Sequence, residues 1–151
     1  MVVGIDPGLS GALAFLFEDG TYSGVFDMPV MAAGKTGRQQ VNAAALVEWM
    51  KKVYPPDRAV LEHVAAMPKQ GVSSVFSFGQ SFGIILGVLA ALEIPVELVR
   101  PNVWKKAYGL GKDKEEARAR AIQLYPAAPL SRKKDAGRAE ALLLARYGRQ
   151  P

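Results

Sequence analysis

The sequence predicts an α/β fold in which helices cover both faces of one mixed, five-stranded sheet. Three observations lead there. The first 26 residues read as three short apolar strands joined by tight turns, the pattern of antiparallel neighbours. From Asn42 onward, helical and strand-like segments alternate, the pattern of parallel strands linked by crossover helices. A chain of 151 residues, 50% of them hydrophobic, can also close a core of its own, and one domain spanning 1–151 is expected. No internal repeat, low-complexity tract or linker interrupts it.

Val2 to Ile5 is a short buried strand and Gly11 to Phe17 a second apolar run. Between them, Pro7-Gly8 favours a tight turn, because proline fixes its φ and glycine accepts a positive one. Glu18-Asp19-Gly20 is another turn, leading to a third strand over Thr21 to Phe26. Met28 to Gln40 has four Gly, Lys and Arg breakers and no period, and is expected to be an irregular, mobile excursion. Asn42 can cap a helix from Ala43 to about Tyr54, with Leu46, Val47 and Met50 on its apolar side and Pro55-Pro56 as its stop. A fourth strand, Ala59 to Glu62, ends on an acid. A loop over Met67 to Gly71, a long helix over Ser73 to Leu92 and a fifth strand over Ile94 to Val99 follow. Pro101 to Tyr108 reads as a helical turn, Asp113 to Leu124 as a helix, and a last helix ends near Tyr147. The first and fourth strands are expected side by side and parallel, joined by a right-handed crossover through the first helix.

Composition narrows the chemistry. With no Cys, disulfides, thiolate zinc sites and cysteine nucleophiles are excluded together, and His63 is the one imidazole. Any metal must be held by oxygen. The longest apolar run, Phe82 to Leu92, is well short of the roughly 18 residues of a membrane span, and no basic region precedes the apolar N-terminal stretch. A cytoplasmic location, in a bacterium or a phage-infected host, is expected. The net charge of +5 is unevenly placed: residues 1–75 hold 6 Lys/Arg against 7 Asp/Glu, whereas residues 76–151 hold 13 against 7. A basic half of this kind points to a polyanionic partner.

Asp6 and Glu62 each follow directly on an apolar strand. If those strands are neighbours, both carboxylates leave the sheet at one edge, where open α/β sheets place their chemistry. Asp135 or Glu140, near the final helix, can supply a third acid. Carboxylates gathered from distant segments repel one another unless cations lie between them, so the cluster implies a hard divalent metal, in the first place Mg²⁺. Each acid also has a plainer reading: Asp6 as a turn former, Glu62 as a solvated strand end, Asp135 as a helix cap, Glu140 as an exposed helical acid.

Gly4-Ile5-Asp6-Pro7-Gly8-Leu9-Ser10-Gly11, then Leu61-Glu62-His63-Val64, then Ser77-Phe78-Gly79-Gln80-Ser81-Phe82-Gly83 stand in this order along the chain. Val103-Trp104-Lys105-Lys106, Gly109-Leu110-Gly111 and Lys112 to Lys114 follow. Together they resemble RuvC-type Holliday junction resolvases, and among these the phage-like branch, over nearly the whole chain. The resemblance implies an RNase H-like fold, a homodimer, and Mg²⁺-dependent paired nicking of four-way DNA junctions. Two ions per site, with Mn²⁺ able to substitute, would leave a 5′ phosphate and a 3′ hydroxyl. It assigns Asp6, Glu62, Asp135 and Glu140 as catalytic and metal-binding acids. Lys105, Lys106, Lys112, Lys114, Arg132, Lys133 and Lys134 become the candidate phosphate contacts.

Two departures from the family pattern stand out. The family places its penultimate acid three residues before the last, or four in some phage-like relatives, whereas Gly137 occupies the three-residue position here and Asp135 lies five away. Five residues of regular helix turn the side chains about 140° apart, so Asp135 can join Glu140 only if the helix begins after it. The family's aromatic wedge beyond the second acid is replaced by Ala65-Ala66, with Phe76 and Met67 as alternatives. His63, next to Glu62 on an alternating strand, should face the other way. Gly79, Gly83 and Gly87 recur every four residues in the long helix. Each costs about 1 kcal/mol against Ala, so the stripe calls for a close approach to the chain's own sheet or to a second copy. Three rivals remain open: an actin-like or sugar-kinase ATPase, a non-catalytic DNA-binding protein of the same fold, and a nuclease acting on flaps or RNA–DNA hybrids.

Overall fold

The computed structural model describes residues 1–52 and 55–149. Its main sheet has five strands: β1 (Val2–Asp6), β2 (Ala12–Leu16), β3 (Tyr22–Asp27), β6 (Arg58–Glu62) and β7 (Val96–Val99). They lie in the order β3-β2-β1-β6-β7, antiparallel on the β3-β2-β1 side and parallel across β1-β6-β7. The expected mixed sheet and the parallel first and fourth main strands are therefore present. Ile5 stands opposite Leu61, which brings Asp6 and Glu62 to one end of adjacent strands.

The excursion over Met28 to Gln40 is more ordered than expected. Val30–Ala32 (β4) and Gln39–Val41 (β5) pair antiparallel as a two-stranded ribbon. Gly34 and Gly37 sit in its turn with positive φ, at 74° and 72°. Strands of three residues are too short to display alternation, which is why the pattern was invisible in the sequence.

Helices cover both faces. On one lie α1 (Ala43–Lys52) and α2 (Val72–Ala91), packed on Val3, Ile5, Leu13, Phe15, Ala59 and Leu61. On the other lie α3 (Pro101–Ala107), α4 (Lys114–Leu124) and α5 (Ala136–Tyr147), packed on Val2, Ala12, Ala14, Leu16 and Val60. The alternation of strand side chains divides the residues this way. Asn42 caps α1 by accepting from the Ala45 amide at 3.1 Å, and Asp113 caps α4 through the Glu115 amide at 2.9 Å. Tyr54, the expected end of the first helix, lies outside the described residues.

The long helix expected over Ser73 to Leu92 is α2, 20 residues, and by length and composition alone it is long and apolar enough to cross a membrane. Its inner face, Ile85, Val88 and Leu89, is instead buried on the sheet. A Cβ on Gly79, Gly83 or Gly87 would meet nothing within 4 Å, so the stripe does not serve packing on the chain's own sheet.

The opposite situation holds at Gly4. A Cβ there would fall 2.1 Å from the Ala141 carbonyl oxygen and 2.4 Å from the Ala145 nitrogen. This glycine lets α5 lie directly on β1, and that close approach sets Glu140 beside the end of the strand.

Candidate active site

Even-numbered residues of β1 and β6 face α5, since Val2 and Val60 belong to the core on that side. Asp6 and Glu62 continue the same alternation and emerge on the α5 face, where Glu140 waits one turn inside the helix. Asp6, Glu62 and Glu140 each offer a carboxylate oxygen, and these oxygens lie within 4.8 Å of one another. Glu62 and Glu140 are buried, Asp6 partly so. Burial, followed by the neighbouring charges of Glu140 and Glu62, pushes the Asp6 carboxyl up to about 7. Burial also holds Glu62 above its ordinary range, with the charge of Glu140 adding to it and a hydrogen bond from Trp104 opposing it.

Three carboxylates held this close, with no Cys or His among them, form an oxygen-only donor set that suits a hard divalent cation. The raised proton affinity of Asp6 and Glu62 is what an acid cluster shows when cation charge is not balancing it. The residues therefore fit Mg²⁺ or Mn²⁺.

Asp135 is not brought into this group. The last helix does begin after it, at Ala136, which met the geometric condition for joining. Its carboxylate is nonetheless held elsewhere: it accepts from the Arg132 amide at 2.8 Å and the Arg132 Nη2 at 2.8 Å, with Arg138 Nη1 at 3.7 Å. Those arginine bonds keep Asp135 below the usual carboxylate range. Gly137 occupies the space instead; a Cβ on it would stand 2.5 Å from the Ser10 carbonyl oxygen and 3.4 Å from Asp6 Oδ2. No longer side chain fits there without moving the Asp6 turn.

Three further acids of the basic half, Asp113, Glu115 and Glu116, are engaged elsewhere. Asp113 caps α4, Glu115 pairs with Arg118 at 2.9 Å, and Glu116 accepts from the Gly111 amide at 2.8 Å.

Of the basic candidates, Lys105 and Lys106 close α3, and the Lys105 ammonium stands 5.4 Å from the centroid of the Trp104 ring. Lys114 opens α4 close enough for its charge to lower the proton affinity of both Asp6 and Glu62. Lys112, Lys133 and Lys134 are exposed, the last two on the 3₁₀ turn Lys133–Asp135. Arg132, expected to face phosphate, is bound to Asp135. Phe76 and Met67, alternatives to the missing wedge, are 73% and 69% exposed. His63 is set apart from the acids, lining a cavity with Phe78 and Asn102.

One partner was not foreseen. Trp104, fully buried, donates its indole N–H to Glu62 Oε2 at 2.7 Å. Trp104 and Glu62 are 42 residues apart, and no local pattern signals the bond; only the placement of β7 beside β6 delivers α3 to the site. Trp104→Phe should keep the ring and remove the donor. Outer partners of metal ligands contribute about 10- to 100-fold in metal affinity or activity, so a loss in that range is expected in a Mn²⁺ titration while near-ultraviolet circular dichroism stays folded. An unchanged titration would show that Glu62 needs no orienting bond.

No protein-family model and no curated protein sequence matches the chain. Solved structures do. The structure described as T. thermophilus RuvC in complex with Holliday junction substrate is similar at TM-score 0.61 and 19% identity, covering 95% of this chain and 89% of the other. A second, of Thermus thermophilus RuvC, is similar at TM-score 0.60 and 21% identity, covering 98% and 95%. The chain has the fold of RuvC. That fold is the RNase H-like mixed sheet expected from the sequence, and within it the carboxylate cluster lies at the ends of the two central parallel strands.

Proposed function

We propose that the chain is a metal-dependent endonuclease that resolves four-way DNA junctions by paired nicks, acting as a homodimer. The observation that carries this reading is the convergence of Asp6, Glu62 and Glu140, from two strands and the last helix, within a RuvC fold. The structural neighbour bound to a Holliday junction supports branched DNA as the substrate class.

Asp6, Glu62 and Glu140 would hold Mg²⁺ or Mn²⁺, two ions in the full site, with waters and substrate oxygens completing the coordination that three carboxylates leave open. Bound there, divalent cations supply Lewis acidity toward the phosphodiester and a nucleophilic water at neutral pH. The protein's part is positional and electrostatic. Trp104 fixes the orientation of Glu62, the turn after β1 presents Asp6, and Gly4 and Gly137 let α5 approach closely enough for Glu140 to complete the group. Residues 100–149 carry 13 Lys/Arg against 5 Asp/Glu; Lys105 and Lys106 lie on α3, Lys114 on α4, and Lys112 in the loop between them.

The homodimer reading rests on α2. Its outer face combines the open stripe of Gly79, Gly83 and Gly87 with Val72 and Phe76, which are 87% and 73% exposed. A second copy of the same helix would explain why small residues are kept there despite their cost to helix stability.

The deciding experiment compares Mg²⁺-dependent cleavage of a four-way junction, a flap, an RNA–DNA hybrid and linear duplex. Symmetric nicks on the junction and little cleavage of the others are expected; preferential cutting of the hybrid or the flap would move the protein to another nuclease class.

Replacing Lys105 and Lys106 together with Ala is expected to flatten the salt dependence of junction binding. Each phosphate contact contributes about −0.9 to the log–log slope, so losing two should reduce its magnitude by roughly 1.8. An unchanged slope would place both lysines away from the DNA.

A further inference from the structure

On the far side of the Asp6 turn lies a cleft of about 590 Å³ that the reading above does not use. Gly8 and Ser10 form one wall, Arg38 from the ribbon a second, and the first half of α2 a third. The α2 wall is a ladder of hydroxyls: Ser73, Ser74, Ser77 and Ser81 recur at helical spacing and so share one face. Ser81 is 2% exposed, lines this cleft, and its Oγ has no hydrogen-bond partner among the described residues. Buried hydroxyls are normally satisfied, so an orphan on a residue that lines a cleft marks a place for a ligand atom.

The same cleft receives the start of α2, whose N-cap Gly71 offers no side-chain acceptor to the first-turn amides. Helix N-termini with open N–H groups attract anions. No Asp or Glu lines the cleft, and Arg38 is its one charged wall residue among those described. Donors on three sides with no carboxylate suit a phosphate oxygen. The volume exceeds what a lone phosphate fills and falls in the range of nucleotide-sized sites. Phe78, which also lines the cleft, adds an aromatic ring on which a base can stack and which free phosphate would not use. The Gly8 amide meanwhile reaches Asp6 Oδ1 at 3.4 Å, so the cleft and the acid cluster are two sides of one turn.

We propose that this cleft binds the sugar-phosphate backbone of a DNA strand, with Arg38, Ser77 and Ser81 contacting a phosphate adjacent in the chain to the one presented to Asp6, Glu62 and Glu140. The inference rests on the nuclease reading for its substrate and on the cleft's own chemistry for its ligand.

The test is backbone amide NMR of the metal-free, ¹⁵N-labelled chain, titrated separately with the hexanucleotide dT6, a four-way junction and inorganic phosphate. Saturable shifts of Arg38, Ser73 and Ser74 with dT6 and with the junction are expected. Arg38→Ala and the double variant Ser77→Ala/Ser81→Ala should each weaken dT6 binding about tenfold, the usual effect of losing a charge-assisted hydrogen bond. The amide spectrum of each variant reports directly that it is folded. Shifts with inorganic phosphate alone, no shifts with dT6, or dT6 affinity unchanged in both variants would overturn the proposal. A protein that binds dT6 in this cleft but cuts no junction would keep the cleft and remove the nuclease reading. One that nicks junctions while these amides stay still would do the reverse.

Discussion

Asp6→Asn, Glu62→Gln and Glu140→Gln are each expected to lower metal-dependent nicking of a four-way junction by more than about a hundredfold while leaving junction binding within a few-fold of the parent. The lower bound follows because even the outer partners of metal ligands contribute 10- to about 100-fold. Binding should survive because each change removes a negative charge and no phosphate contact. A companion result is expected in the metal-free protein. Asp6 is held up to about 7 by burial and by its two acidic neighbours. An unfolded Asp loses its proton near 3.9, so between about pH 4 and 7 the folded state retains more protons and stability falls as pH rises. Asn does not titrate. At pH 8 the metal-free Asp6→Asn chain should therefore be more stable than the parent by at least about 1 kcal/mol, roughly 3 °C in Tm for a chain of this size. Added Mn²⁺ should raise the parent's Tm and leave the variant's unmoved. Near-parental nicking by any of the three variants would remove that acid from the site, and a fall in Tm for Asp6→Asn would show that its charge is already balanced.

What could be read from the residues alone follows a physical division. Asp6 and Glu62 were legible because each closes an apolar strand, and the parallel pairing of those strands follows from the helix between them. The caps at Asn42 and Asp113 were legible because capping is a local interaction between a side chain and an amide two or three residues on. The β4–β5 ribbon was not, since three-residue strands carry no measurable period. Trp104 on Glu62 was not, because nothing within either segment encodes the other. The glycine stripe of α2 was visible as an anomaly, but only the structure shows that its outer side is open rather than packed on the sheet.

Asp135 is the case in which the helix start met the condition that the five-residue spacing set, while the side-chain partners hold the carboxylate elsewhere. Its carboxylate is 2% exposed and accepts from the backbone and guanidinium of Arg132, while Arg138 bridges from it toward Asp27 at the end of β3, donating to the two Asp27 oxygens at 2.7 and 2.9 Å. This arrangement pins the start of α5 to the sheet edge, upstream of Glu140. Asp135→Asn is therefore expected to keep nicking within about twofold of the parent across a Mg²⁺ titration, unlike Glu140→Gln, because no metal ligand is lost. It should instead reduce stability by about 2 kcal/mol, the scale of hydrogen bonds to a charged group, discounted because Arg132 is half exposed; in Tm this is roughly 4–8 °C. The pH dependence gives a second signature. Asp135 is held below its ordinary value, so the folded state binds fewer protons than the unfolded one; its contribution is fully present above about pH 4 and is lost as pH falls through the lowered folded value. The gap in stability between parent and variant, measured by urea unfolding from pH 6 downward, should accordingly be constant to about pH 4 and then close. A hundredfold loss of nicking in Asp135→Asn at unchanged stability would instead return Asp135 to the metal site, and would mean that the arginine pair releases it when DNA and metal bind.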